Sequence, residues 1–124
     1  MEKSEDRKEK LRQRTKKYAS TIIRLYCELP KNRMECQVIG KQFLRSGTSV
    51  AANYREASRA RSDAEFISKI ELCTQEADVT MLWLELLRDD CSIISKQLDW
   101  LLDESNQLIS IFVTMSKNVK KRQN

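Results

Sequence analysis

Lysine and arginine are the residues of this chain with the clearest chemical potential, and they are unevenly placed. Lys10, Arg12, Arg14, Lys16 and Lys17 crowd into one stretch, and Arg45, Arg55, Arg59 and Arg61 follow in a second. Lys117, Lys120, Lys121 and Arg122 close the chain. Residues 1–61 hold 16 Lys/Arg against 7 Asp/Glu, and residues 62–104 reverse the balance, with 3 against 11. Residues 105–124 add 4 bases and no acid, so the net charge of +5 conceals strong segregation. A one-sided basic patch is the electrostatic footprint of a phosphate-binding surface. No aromatic residues alternate with these charges in the chain, as a base-stacking platform would need. Binding of this kind would rest on the phosphate backbone, with weak sequence preference and a steep response to salt. The competing reading is a solvated polar face whose arginines pair with acids of a neighbouring helix or subunit.

Other chemistries lack their parts. The chain has no histidine, which removes the commonest general base, metal ligand and pH switch. Glu71, Glu76, Glu85 and Asp89 are acids without the Glu-x-x-His partner that a di-iron bundle requires. Cys27, Cys36, Cys73 and Cys91 are widely spaced and form no C-x-x-C. They read as small apolar fillers on helices in a reducing, cytoplasmic setting. No nucleophile has a base in plausible reach, so no enzyme activity, metal or cofactor is expected. The charged start, MEKSEDRKEK, has no apolar signal core, and no apolar run approaches the roughly 20 residues of a membrane span.

The elements that position these charges are helices. Two glycines and one proline among 124 residues are too few for hairpins and phosphate loops. Four segments with helical periodicity predict helices over about 9–28, 33–58, 63–88 and 96–119. In the first, Leu11, Thr15, Tyr18, Ile22, Leu25 and Leu29 recur at steps of three and four, with Ile23 and Tyr26 widening the stripe. Pro30 ends it. Asn32 and Glu35 predict an N-x-x-E capping box for the second, whose apolar face is Ile39, Phe43, Gly47, Val50, Tyr54 and Ala57. Gly40 and Gly47 imply either close approach of another backbone or simple tolerance. Asn53 and Glu56 read as interhelical hydrogen-bonding groups. The third opens on the capping box Ser62-Asp63-Ala64-Glu65 and turns Phe66, Ile70, Cys73, Ala77, Met81 and Leu84 inward. It becomes apolar nearly all round after Val79, which points either to an oligomer interface at Leu82, Trp83 and Leu86 or to a loop folded over Trp83. The fourth repeats Leu98, Leu101, Ser105, Leu108, Phe112, Met115 and Val119, before a basic tail, residues 120–124, expected to fray.

Short loops between such helices predict an all-α, antiparallel, up-down-up-down four-helix bundle in one domain. That topology brings the start of the first helix, the end of the second and the end of the fourth together as a basic pole. Lys16, Lys17, Arg45, Arg55, Arg59 and Arg61 are the candidate nucleic-acid contacts.

The stretch Gln42–Ala57 is similar to a helix signature of the 23S rRNA intervening-sequence proteins, Q-x-x-R-x-x-x-S-[IV]-x-x-N-x-x-E-[AG]. Here it is carried by Gln42, Arg45, Ser49, Val50, Asn53, Glu56 and Ala57. Arg59–Phe66 resembles that family's turn into its third helix, and Glu76-Ala77 and Trp83-Leu84 continue the likeness, which spans about residues 15–115. Ala57 stands where the family frequently has glycine. The resemblance implies a bacterial four-helix bundle assembled as a homopentamer and encoded within 23S rRNA genes. A related branch, the accessory variability proteins of diversity-generating retroelements, forms pentamers that bind nucleic acid and a reverse transcriptase. The resemblance thus implies RNA or DNA, other copies of the chain, and a reverse transcriptase as partners.

Overall fold

Every residue of the first apolar stripe faces inward: Leu11, Thr15, Tyr18, Ile22, Leu25 and Leu29 are all buried. They belong to α1 (Ser4–Glu28) and its exit in a computed structural model that describes residues 4–123. The chain continues through α2 (Met34–Ala57), α3 (Asp63–Asp89) and α4 (Lys96–Gln123). The result is an antiparallel up-down-up-down bundle. α2, α3 and α4 each pack on the helix before them, and α1 closes on α4 along a thinner seam. Diagonal backbones stay apart, and side chains such as Tyr54 and Phe112, with ring centroids 6.2 Å apart, fill the space between them.

A layer of hydroxyls crosses the middle of this apolar core. Tyr18 of α1 hydrogen-bonds Ser105 of α4 at 2.5 Å, and Ser46 of α2 hydrogen-bonds Thr80 of α3 at 2.7 Å. Thr80 also lies within reach of the Tyr18 phenol. One group from each helix therefore meets its partners in a single layer, and satisfied buried networks of this kind fix register. Burial pushes the Tyr18 phenol up to about 12, against a smaller opposing effect of its hydrogen bonds.

The helix ends differ from expectation in instructive ways. α2 starts at Met34 behind Arg33, and no side chain caps it. Asn32 lies too early for the box, and Glu35 instead accepts a 2.7 Å hydrogen bond from Arg33 Nε. Ser62 does cap α3, accepting from the Glu65 N–H at 3.1 Å, which is worth about 1 kcal/mol. The reciprocal arm goes to Arg61, whose N–H meets Glu65 at 3.5 Å. α1 begins at Ser4, earlier than its periodicity implies, and α4 continues through Lys120, Lys121 and Arg122 to Gln123 where a frayed tail was expected. Cations in a last helical turn suit the negative end of the helix dipole. Asn124 lies outside the described residues.

The two glycines serve close packing. A Cβ on Gly47 would lie 2.6 Å from Ile22 Cδ1, and one on Gly40 would lie 2.7 Å from Leu29 Cδ1. The nearest atoms to them are side chains of α1 and of Leu29 at its exit, not another backbone. Four expected inward residues, Ile39, Phe66, Met81 and Met115, are only half-buried, and Thr80 takes the inward place beside Met81. Ile23 is exposed. Cys36 and Cys73 are buried fillers on helices as expected, Cys91 is buried in the connection after α3, and Cys27 is exposed.

Candidate nucleic-acid interface

The bundle's topology sets the first turns of α1, the turn between α2 and α3 and the last turns of α4 around one groove of about 910 Å³. Arg7, Lys8, Lys10, Arg14, Arg61 and Arg122 line its rim. Its floor is apolar, with Leu11, Ala57 and Val119 buried and Phe66, Ile111 and Met115 half-buried. Tyr54, only 1% exposed, also lines the groove. Burial holds its phenol up at about 12.

The cations at this end divide into engaged and unengaged groups. Arg14 reaches across the seam to Glu104 through Nε at 2.8 Å and Nη2 at 2.9 Å, and to Gln107 at 2.7 Å. The Glu104 hydrogen bond holds the Arg14 guanidinium above its ordinary pKa. Arg12 is shared between Glu9 at 3.0 Å and Ser58 Oγ at 3.2 Å. Hydrogen bonds from Gln13 and Arg12, with a smaller contribution from the nearby Arg55 charge, hold the Glu9 carboxyl below its usual range. Lys120 pairs with Glu71 at 3.0 Å, and Lys69 pairs with Glu56 at 2.6 Å. Glu56 thus makes the interhelical bridge expected of it, while the Asn53 side chain makes no hydrogen bond among the described residues. Arg55, Arg59, Arg61 and Arg122 are exposed and make no ion pair among the described residues.

Three of the sequence-predicted contacts do not share this end. Arg45 lies ten residues before Arg55, about 15 Å along α2 at the helical rise, and is exposed. Lys16, two residues beyond Arg14, is exposed and does not line the groove. Lys17 places its ammonium 5.2 Å from the centroid of Trp100, in the first turn of α4 and far from its basic end. The reason is helical rise: neighbours in a charge count separate by whole turns along a rigid rod. In the other direction, the sequence reading missed Tyr54 and Phe66, and it placed Arg122 at the basic pole without counting it among the contacts. No aromatic alternates with the arginines in the chain, yet Phe66 follows the Ser62 cap by one turn and arrives at the groove through the fold. Its place directly after the capping box was the available signal.

The predicted oligomer residues lie elsewhere, on α3. Leu82 is 49% exposed, and Trp83 and Leu86 are half-buried. The Trp83 indole nitrogen is buried with no hydrogen-bond partner among the described residues. The α3–α4 loop turns Ile93 toward the core and leaves Ile94 98% exposed. Val38 and Met34 on α2 are also exposed. Of the acids considered as metal ligands, Glu71 is paired with Lys120, and Asp89 accepts a 2.7 Å hydrogen bond from Arg88. Among the described residues no helix is long and apolar enough to cross a membrane.

A four-helix bundle with one cationic, groove-bearing end defines the class of the protein. The chain belongs to the 23S rRNA-intervening sequence protein family, whose model matches residues 7–114. It is similar to a solved protein of unknown function from the S23 ribosomal protein family of Bacteroides thetaiotaomicron. The two are 35% identical, with a TM-score of 0.76, over 86% of this chain and 97% of that one. No curated protein matches.

Proposed function

We propose that this is a non-catalytic nucleic-acid-binding protein that acts as a homo-oligomer in the cytoplasm, with its basic end on the phosphate backbone of RNA. The observation that carries the reading is the convergence at one end of Arg61 and Arg122, which line the groove, with Arg55 and Arg59 on the adjoining surface, all four exposed and without an ion pair among the described residues. A guanidinium with no internal carboxylate is available to a phosphate in fork geometry. Arg14 and Lys120, spent on Glu104 and Glu71, set the frame of the surface. The four unpaired thiols fit a reducing compartment. The family's association with 23S rRNA makes structured RNA the first ligand to try.

Fluorescence anisotropy against a structured RNA tests this over a salt series. Each phosphate contact contributes roughly 0.7–0.9 to the slope of log K against log salt. Arg55→Gln, Arg59→Gln and Arg61→Gln together should lower that slope by about 2–3. Binding that is undetectable at low salt sinks the proposal.

Copies would meet through the α3 face at Leu82, Trp83 and Leu86, which one protomer leaves partly open. Homopentamers are the expected assembly. Light scattering on Leu82→Glu should show a smaller particle than wild type. If the arginines instead serve a protein scaffold, reversing Arg55 and Arg59 changes the particle mass and RNA binding is absent.

A further inference from the structure

We propose that the groove at the basic end seats an unpaired nucleobase, stacked against Phe66 and hydrogen-bonded by Tyr54, while Arg61 and Arg122 hold its flanking phosphates. The inference rests on the nucleic-acid reading above and narrows it to single-stranded or bulged RNA. Two observations carry it. The first is shape and chemistry: the groove of about 910 Å³ has a floor that includes Phe66 and Met115 and a rim that includes Arg61 and Arg122. Ligand pockets are concave, mostly apolar and edged by a few placed polar groups. A flat phosphate-binding surface needs no such floor.

The second is Tyr54. It is 1% exposed, lines the groove, and has no hydrogen-bond partner among the described residues. Its oxygen is not one of the fully enclosed, unpartnered atoms of the core, so solvent in the groove reaches it and a ligand there can take that water's place. An acyl chain or an apolar side chain in the groove would leave that hydroxyl unmatched, whereas a base edge offers donors and acceptors. Arg61 and Arg122 at the mouth match the charge that flanks every base. A base inside an A-form duplex is stacked and its major-groove edge is closed to side chains, so only an unpaired one can enter.

The test uses the whole chain and two labelled RNAs of equal length, one single-stranded and one fully paired. A 2-aminopurine at one unpaired position reports stacking. Wild type should favour the single strand, and 2-aminopurine fluorescence should be quenched on binding. Tyr54→Phe keeps the ring and should weaken the single strand about three- to tenfold, with duplex affinity unchanged. Phe66→Ala should weaken it roughly five- to hundredfold and abolish the quench. Circular dichroism confirms that each variant is folded. If Tyr54→Phe and Phe66→Ala leave single-strand affinity as it was, or if the duplex binds equally well, the base site is wrong and backbone binding survives. An acidic amphipathic peptide that displaces the single strand with full Tyr54 dependence would also overturn it, since the groove would then be a peptide site. Absence of binding to either RNA at low salt removes the nucleic-acid reading itself.

Discussion

Replacing Arg14 by methionine should cost the bundle about 2 kcal/mol, and the size of that cost follows from where its partner sits. The Glu104 side chain is 8% exposed and accepts two hydrogen bonds from Arg14. Arg14→Met keeps most of the aliphatic stem but leaves that carboxylate with no cation. Stranding one member of a buried pair typically costs 3–5 kcal/mol. The Arg14 side chain is 35% exposed, so water can replace part of the lost solvation, and the lower figure of about 2 kcal/mol follows. For a domain of this length that is roughly 8 °C in Tm. Adding Glu104→Leu to Arg14→Met should recover most of the loss, because the uncompensated charge is gone. Urea denaturation of wild type, both single variants and the double variant gives the coupling energy. A coupling below about 0.5 kcal/mol, within ordinary additivity, would refute the view that Glu104 depends on Arg14.

Two further outcomes follow from the core. Gly47→Ala should destabilise by about 1 kcal/mol net: overpacking costs roughly 1–3 kcal/mol and helix propensity returns about 1 kcal/mol. The new methyl would meet Ile22 at both Cδ1 and Cγ1, 2.6 and 2.7 Å away, too close to its branch point to swing aside. Gly40→Ala meets only the tip of Leu29 and the edge of Tyr26, so it should be close to neutral, and thermal melts of the pair check the contrast. Alkaline pH should also loosen the fold. The Tyr18 phenol titrates near 10 unfolded and about 12 folded, so the native state keeps a proton that the unfolded chain loses. Its contribution is fully present below pH 10 and is lost as pH rises through about 12, on the order of 2–3 kcal/mol. Tyr54 and Cys73 shift the same way. Urea midpoints from pH 9 to 12 should fall, and less steeply in Tyr18→Phe; a flat profile would contradict the buried phenol.

The bundle was legible because its helices are amphipathic in the simplest sense. Leu11 to Leu29 on α1, and Leu98 to Val119 on α4 apart from Met115, are buried as their spacing requires. Periodicity names the face but not the neighbour on each flank. It therefore put Met81 inward where Thr80 points to Ser46, and it widened the α1 stripe to Ile23, which is exposed. The Asn32 capping box failed for a local reason, since Arg33 supplies the extended residue before the helix. The basic end was half legible. Antiparallel topology places Arg55, Arg59 and Arg61 correctly, because they sit at a helix end. Charge counting could not separate them from Arg45, three turns away, or from Lys17, which settled over Trp100. Residues far apart in sequence, such as Tyr54, Phe66 and Arg122, meet only after the chain has folded.

The thin seam between α1 and α4 links the stability argument to the groove. Elsewhere neighbouring helices pack closely enough for apolar side chains to hold them. Along this seam the bridges include polar ones: Arg14 to Glu104, Tyr18 to Ser105, Lys17 over Trp100, and Gln97 to Glu28 at 2.8 Å. All of them lie at or beyond Arg14, counted from the basic end. Between Ser4 and Leu11, α1 and the last turns of α4 border the groove on its two sides. An apolar seam closed along its whole length would bury Leu11 and Val119 against each other and leave no room between them. Arg14 and Glu104 thus stand where the seam gives way to the groove, and Arg14 itself lines it. Loss of that pair should loosen the groove wall along with the fold. Arg14→Met should therefore weaken single-stranded RNA more than its own charge warrants, whereas Arg59→Gln, on the outer surface, should weaken single-stranded and duplex RNA alike.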